Sequence, residues 1–303
     1  VSREMLQNNP AVAKISKSLV GKILRELKKV SEKNADGYKS FWKEYGAVLK
    51  EGLYEDAERK EALLDLCRFS TNENDDPISL SGYVEKMPEK QKDIYYISAE
   101  TKDQALASPH LEGFKSKKIP VLIMTDAIDQ FWLPMVGSFK EKKFTSITQG
   151  QINLDDLDEK NKDKKKDDKN EKEKKDKEYV DLVAQLKVVL GDQVKDIRLS
   201  SKLTDSPVCL VADEGDMDIA MEQLMAQRDT NYKGAPRILE INGDHSLIKN
   251  MKSLLSKKEN NDLVSDAGTL LFEQARLMEG KMPADPAQFS KIMNQFLLKA
   301  IPN

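Results

Sequence analysis

Val12, Ile15, Leu19, Val20, Ile23, Leu24, Leu27 and Val30 recur at three- and four-residue spacings, the mark of one apolar face on a long helix. Its start has a physical cause: Asn9 stands at the cap, and Pro10 fills the first helical position, where a missing N–H costs nothing. The run Asn34 to Gly37 breaks the pattern. A second helix then carries Tyr38, Phe41, Trp42, Tyr45, Val48 and Leu49 as far as Gly52, and a third carries Ala57, Leu63, Leu64 and Leu66.

From Cys67 the rhythm changes to short β-prone runs, Cys67–Thr71, Ile94–Ser98 and Ile119–Met124, separated by helix-sized segments. Thr101 with Gln104 forms a capping box that opens one of those helices. Strand alternating with helix predicts a small α/β unit with a largely parallel sheet. A helix over Asp126–Val136 and an edge strand over Phe144–Thr148 complete it.

A second unit begins with a helix carrying Tyr179, Leu182, Val183, Leu186, Val189 and Leu190, closed by Gly191. Strands follow over Val194–Ser200, Val208–Ala212 and Arg237–Ile241, with a helix from Met217 to Gln227 between the last two. His245–Leu255, Leu263–Met278 and Pro286–Ala300 read as terminal helices. The last two carry Leu270, Leu271 and Leu277, then Phe289, Ile292, Met293, Phe296 and Leu297. Two arrangements would cover that much apolar surface: packing onto the same unit, or packing against the same pair from a second chain.

Composition adds one boundary. The chain has 303 residues, 39 % hydrophobic and 33 % charged, a charge share well above the about 25 % of ordinary globular chains. Residues 155–178 supply the excess, with 11 acids and 10 lysines among 24 positions. Signs alternate too finely for a strong field, and almost nothing there can be buried, so a tether is the expectation. The remainder is nearly neutral at 41 acids against 39 bases, which argues against a nucleic-acid platform. No apolar run approaches the roughly 18–20 residues of a membrane helix. Cys67 and Cys209 sit in strand-like runs and read as small core residues, in a reducing compartment. A chain that begins at Val1 and runs straight into a polar loop reads as part of a longer protein.

The search for chemistry is mostly negative. Neither G-x-G-x-x-G nor G-x-x-x-x-G-K-[ST] occurs, and there is no G-x-S-x-G elbow. His110 and His245 have no histidine or cysteine at a metal-ligand spacing, so no metal site is expected; each reads as an exposed loop residue. Asp126, just after the strand in "IPVLIMTD", stands where a phosphoryl-accepting aspartate would, but no lysine partner is evident nearby. A cap or an ion pair explains it better. Arg3 lies in a polar loop before the first helix, with Gln7 four residues on; a forked, always-charged group there suits a phosphate. Met217, Met221, Leu224 and Met225 form a stripe that, taken alone, more often belongs to a core.

The segment "SREMLQNNP", followed by a Lys-rich helix, resembles the middle-segment motif of the ninety-kilodalton heat-shock chaperone family, in particular its HtpG-type members. "GLYEDAERKEALLDLCRFST", "SLSGYVEKMPEKQKDIYYISAE", "SPHLEGFKSKKIPVLIMTDAIDQF", "LGDQVKDIRLSSKLTDSPVCLVADEGDMDIAMEQLM" and "RILEINGDHSLIKNM" resemble successive blocks of that family in the same order. Apart from the charged run, the likeness covers nearly the whole chain.

The resemblance implies a mixed α/β architecture. Residues 1–66 would be the end of the large middle subdomain and a helical connector, and 67–150 a small αβα middle subdomain. Residues 151–178 would be a charged linker, and 179–303 an α+β C-terminal dimerisation domain whose last helices form an intermolecular four-helix bundle. It implies an ATP-driven chaperone homodimer that binds non-native client proteins and has neither a nucleic-acid nor a membrane partner. ATP and magnesium would be held by an N-terminal domain absent here, so this chain would hold no cofactor and would be idle in hydrolysis alone. By position in the motif, Arg3 reaches the γ-phosphate and Gln7 stands beside it. Phe131, Trp132, Met217, Met221, Leu224 and Met225 would face clients, and Leu270, Leu271, Leu277, Phe289, Ile292, Met293, Phe296 and Leu297 would form the dimer contact. The terminal Ala-Ile-Pro-Asn, lacking an acidic pentapeptide, points to a cytoplasmic bacterial or an organellar member.

Overall fold

The computed structural model describes residues 9–74, 76–157, 174–229, 232, 234–256 and 261–301. Most of the charged run, including 158–173, lies outside them, as do Arg3 and Gln7.

Three helices lead: α1 Pro10–Lys33, α2 Ala35–Glu55 and, after a 3₁₀ turn at Ala57–Arg59, α3 Lys60–Leu66. The Asn9 side chain accepts from the Ala11 N–H, and Asn34 does the same for Gly37 at the start of α2. Tyr38 ties the start of α2 to the end of α3: its hydroxyl donates to the Leu66 carbonyl at 2.6 Å.

Next come β1 Arg68–Thr71, β2 Ile78–Ser79, α4 Leu80–Lys86, β3 Ile94–Ser98, α5 Lys102–Ala107, α6 Glu112–Ser116, β4 Leu122–Met124, α7 Asp129–Val136, β5 Ser138–Phe139 and β6 Lys142–Ser146. The capping box of Thr101 and Gln104 opens α5. These strands form one sheet in the order β2-β1-β4-β3-β6-β5. The expectation of a largely parallel sheet is corrected: β3 runs parallel to β4 and β6, but β1–β4, β1–β2 and β5–β6 are antiparallel. The edge expected near Phe144 is corrected too. β6 pairs on both sides, because a two-residue hairpin returns β5 against it.

Period-two alternation sends Ile94, Leu122 and Met124 into a core shared with Leu24, Tyr38, Leu64, Phe69 and Trp132. Tyr95, Ile97, Val121 and Ile123 face a second core, with Leu111, Phe114, Ile147, Ile152 and Leu154. Burial on both faces explains why these strands read as nearly continuous apolar runs.

The second sheet has the order β7-β9-β8, from β7 Val194–Leu199, β8 Val208–Val211 and β9 Arg237–Ile241. β9 is central, parallel to β7 and antiparallel to β8. Around it lie α8 Val180–Leu190, α9 Ile219–Arg228, α10 Ser246–Leu255, α11 Asn261–Met278 and α12 Pro286–Ala300. Their core joins Leu182, Leu186, Leu210, Leu239, Ile241, Ile248, Leu271 and Phe272. Gly191, at φ +50°, turns the chain out of α8.

Although the charged run separates the two sheets in sequence, they meet in space. Gln149 and Ala212 form a parallel bridge, and the Ala212 N–H donates to the Thr148 carbonyl at 2.9 Å. Lys202, 1 % exposed, donates to the Ile147 carbonyl at 2.8 Å. The Glu112 carboxylate accepts the backbone N–H groups of Thr204, Asp205 and Ser206. Gly113 permits that approach, since a Cβ there would stand 2.6 Å from the Lys202 carbonyl oxygen.

Candidate functional site

The Met-bearing helix α9 is fastened at its start and on its inner face. The Asp218 carboxylate caps it by accepting from the Ala220 N–H at 2.9 Å; its other oxygen accepts from Ser146 Oγ at 2.5 Å and Thr148 Oγ1 at 2.8 Å. Ile219 and Glu222 are its buried residues. Glu222 pairs with the buried Arg237 guanidinium and accepts from the Ala235 N–H at 3.0 Å. That leaves Met217, just ahead of the helix, 39 % exposed, and Met221, Leu224 and Met225 half-buried. The stripe therefore lies along a surface rather than inside a core.

On α7 the two aromatic residues separate. Trp132 is 0 % exposed, its Nε1–H donating to Asp129 Oδ1 at 2.7 Å and its ring edge-on to Phe144. Its assignment to a client surface is thereby corrected: it is a core residue. Phe131 is half-buried and meets Tyr54 edge-on, ring centroids 6.3 Å apart. Tyr54 is 49 % exposed, and Met135, one turn along α7 from Phe131, is 58 % exposed. Neither was singled out by sequence. Met135 could have been found from its i, i+4 spacing to Phe131, whereas Tyr54 is brought in by the tertiary packing of α2 on α7.

The terminal helices divide likewise. Leu271 and Ile292 are 5 % and 4 % exposed within the single chain, which corrects their assignment to a face offered to a partner. Leu270, Phe289 and Phe296 are half-buried, Phe296 against the core of its own unit. Leu277, Met293 and Leu297 are exposed at 43 %, 40 % and 50 %, and Leu298 and Ile301, outside the expected set, at 76 % and 73 %.

The Hsp90 protein family model matches residues 1–302. The chain belongs to the Hsp90 family. Among curated Hsp90 relatives, the chaperone protein HtpG of Roseobacter denitrificans is 43 % identical over 303 residues, which is 99 % of this chain and 48 % of the relative. HtpG of Paramagnetospirillum magneticum is 42 % identical, with 99 % and 48 % covered, and that of Streptomyces coelicolor 38 %, with 97 % and 45 % covered. The chain thus spans about half the length of the curated Hsp90 relatives it matches.

The other candidates in this Hsp90 chain resolve into structural roles. Asp126 has the lysine partner that sequence did not reveal: Lys50 Nζ, from α2, lies 2.8 Å from Asp126 Oδ2 and 2.9 Å from Asp129 Oδ1. Burial alone would lower the Lys50 pKa, but the charges of Asp129 and Asp126 outweigh it and hold it up. What such an acceptor would still need, further carboxylates grouped to hold magnesium, does not occur among the described residues. The cap of α7 is Ile128, so the ion pair, not capping, explains Asp126. His110 is 6 % exposed, which corrects the expectation of an exposed loop residue; burial, then the Lys202 charge, push its pKa well below 6.5. His245 caps α10, its Nδ1 accepting from the Leu247 N–H at 3.1 Å. Cys67 and Cys209 are buried core residues, as read from sequence, and no cluster able to hold a metal occurs among the described residues. Among the described residues, no helix is long and apolar enough to cross a membrane.

Proposed function

We propose that the chain is the later middle and C-terminal part of an ATP-dependent, cytoplasmic chaperone, divided at residues 1–66, 67–150, 151–178 and 179–303. It binds non-native clients and dimerises through α11 and α12, whose paired copies make a four-helix bundle. Arg3 and Gln7 complete a γ-phosphate site together with a domain that holds ATP and magnesium. The client surface consists of Met217, Met221, Leu224 and Met225 with Phe131, extended by Tyr54 and Met135.

The observation that carries this reading is the group of large apolar side chains left outward by helices whose opposite faces are already packed. Met135 is 58 %, Tyr54 49 % and Met217 39 % exposed, and on α12 Leu297 and Leu298 are 50 % and 76 % exposed. Methionine's flexible thioether suits partners of many shapes, and burying one such side chain contributes roughly 1.5–3 kcal/mol.

The test is suppression of aggregation of a heat-denatured protein by the Met221→Ser, Leu224→Ser double variant. With secondary structure and dimer retained, suppression falls several-fold if the stripe holds clients. Undiminished suppression would leave only a dimerisation scaffold.

A further inference from the structure

A cleft of about 850 Å³ lies under α9, between the edge formed by β3 and α5 and the end of α11. That volume falls within the roughly 300–1,000 Å³ of small-molecule sites, and its place between two packed units is where such sites concentrate. Ile97, Ala105, Leu210, Ile219 and Leu277 give it apolar walls. Its charged lining is unbalanced, with three carboxylates, Glu100, Glu222 and Glu279, against one ammonium, Lys281.

The three acids are not equally occupied. Glu222 is paired with Arg237, and Glu100 accepts from Gln227 Nε2 at 2.9 Å. Glu279 has an 8 % exposed side chain, and neither of its oxygens has a hydrogen-bond partner among the described residues. Lys281 Nζ forms an ion pair with Oε2 at 3.1 Å, from a side chain 37 % exposed. Burial raises the Glu279 pKa despite the Lys281 and Arg237 charges, so its charge is under-compensated. Two further groups lining the cleft hold unpartnered buried polar atoms: Ser98 Oγ, and Nδ1 of His110, whose depressed pKa leaves it an acceptor. Among the described residues Glu279 and His110 Nδ1 thus lack hydrogen-bond donors, and at Glu279 a donor that carries positive charge would answer the carboxylate's charge as well.

We propose that this cleft binds a small organic cation, an amine or guanidine on an apolar body, whose charged group takes the place of the Lys281 ammonium on Glu279. Lys281 follows Gly280, at φ +76°, in the turn that leaves α11, so its part-exposed side chain lies beyond the end of that helix. The apolar body then fills the space beneath α9, and the ligand ties the β3–α5 edge to the end of α11.

Three probes sharing one apolar body test the charge requirement on the full chain by calorimetric titration: 4-phenylbutylamine, 4-phenylbutanol and 4-phenylbutyrate. The amine should bind about ten-fold more tightly than the alcohol, as a charge-assisted hydrogen bond to a buried carboxylate provides, and the carboxylate probe most weakly. Glu279→Gln should erase the preference, whereas Lys281→Ala should strengthen amine binding several-fold by removing the competing ammonium. Thermal unfolding of both variants establishes that they fold. Equal binding of amine and alcohol, no saturable amine binding at low millimolar concentration, or weaker amine binding by Lys281→Ala would each overturn the proposal.

Discussion

Lys50 Nζ lies 2.9 Å from Asp129 Oδ1, with the two side chains 4 % and 0 % exposed. The contact joins the C-terminal third of α2 to the first turn of α7, and Asp129 also holds the Trp132 indole at 2.7 Å. One buried lysine thus fixes both the helical lead segment and the helix that presents Phe131.

Replacing that lysine strands a carboxylate in the core. Lys50→Met should cost roughly 3–5 kcal/mol, the usual consequence of breaking a buried pair from one side. Urea unfolding measures it. The double variant Lys50→Met, Asp129→Asn should recover part of the loss, because it removes the uncompensated charge.

The junction of the two sheets should be acid-sensitive through Glu112. Burial would raise its pKa, but the Ser206 hydroxyl and the N–H groups of residues 204–206 outweigh that and hold it below its ordinary 4.5. A lowered folded value contributes stability above the unfolded pKa and loses it as pH falls through the folded one. Glu112→Gln should therefore destabilise the chain by about 1–3 kcal/mol at neutral pH. The deficit should shrink toward zero as pH drops below 4.5, as read from unfolding midpoints across pH.

The hairpin joining β5 and β6 carries backbone strain that a substitution can relieve. Lys140 and Glu141 have φ of +48° and +64°, the left-handed pair a two-residue type I′ turn requires. Asn-Gly is the dipeptide suited to that geometry. Lys140→Asn with Glu141→Gly should raise stability by about 0.5–1 kcal/mol, a shift of a few degrees in the thermal midpoint; an unchanged or lower midpoint would count against the strain.

Local chemistry was legible in the chain. The strand Arg237–Ile241 and the helix Pro286–Ala300 stand where the sequence pattern puts them. What the sequence could not supply were facing decisions and distant partners. Phe131 and Trp132 are neighbours, so about 100° of helix rotation separates them, and only packing against Phe69 and Phe144 decides which is buried. His110 looked like a loop residue because what buries it, the strand around Cys209 and Leu210, comes about 100 positions later. Asp126 looked unpartnered because Lys50 lies 76 residues earlier. The parallel expectation failed at β1, which meets β4 antiparallel although about 50 residues lie between them, and it did not include β2 and β5, two-residue strands too short to show a pattern.

The apolar face left outward on α12 should be closed by a second copy. Sedimentation velocity of the full chain at micromolar concentration measures this most directly, beside the Met293→Asp, Leu297→Asp variant, in which the α12 side chains packed inward, Ile292 and Phe296, are untouched. The parent chain should sediment as a dimer and the variant as a folded monomer. A parent chain that sediments as a monomer throughout the micromolar range, or a variant that remains dimeric, would contradict it.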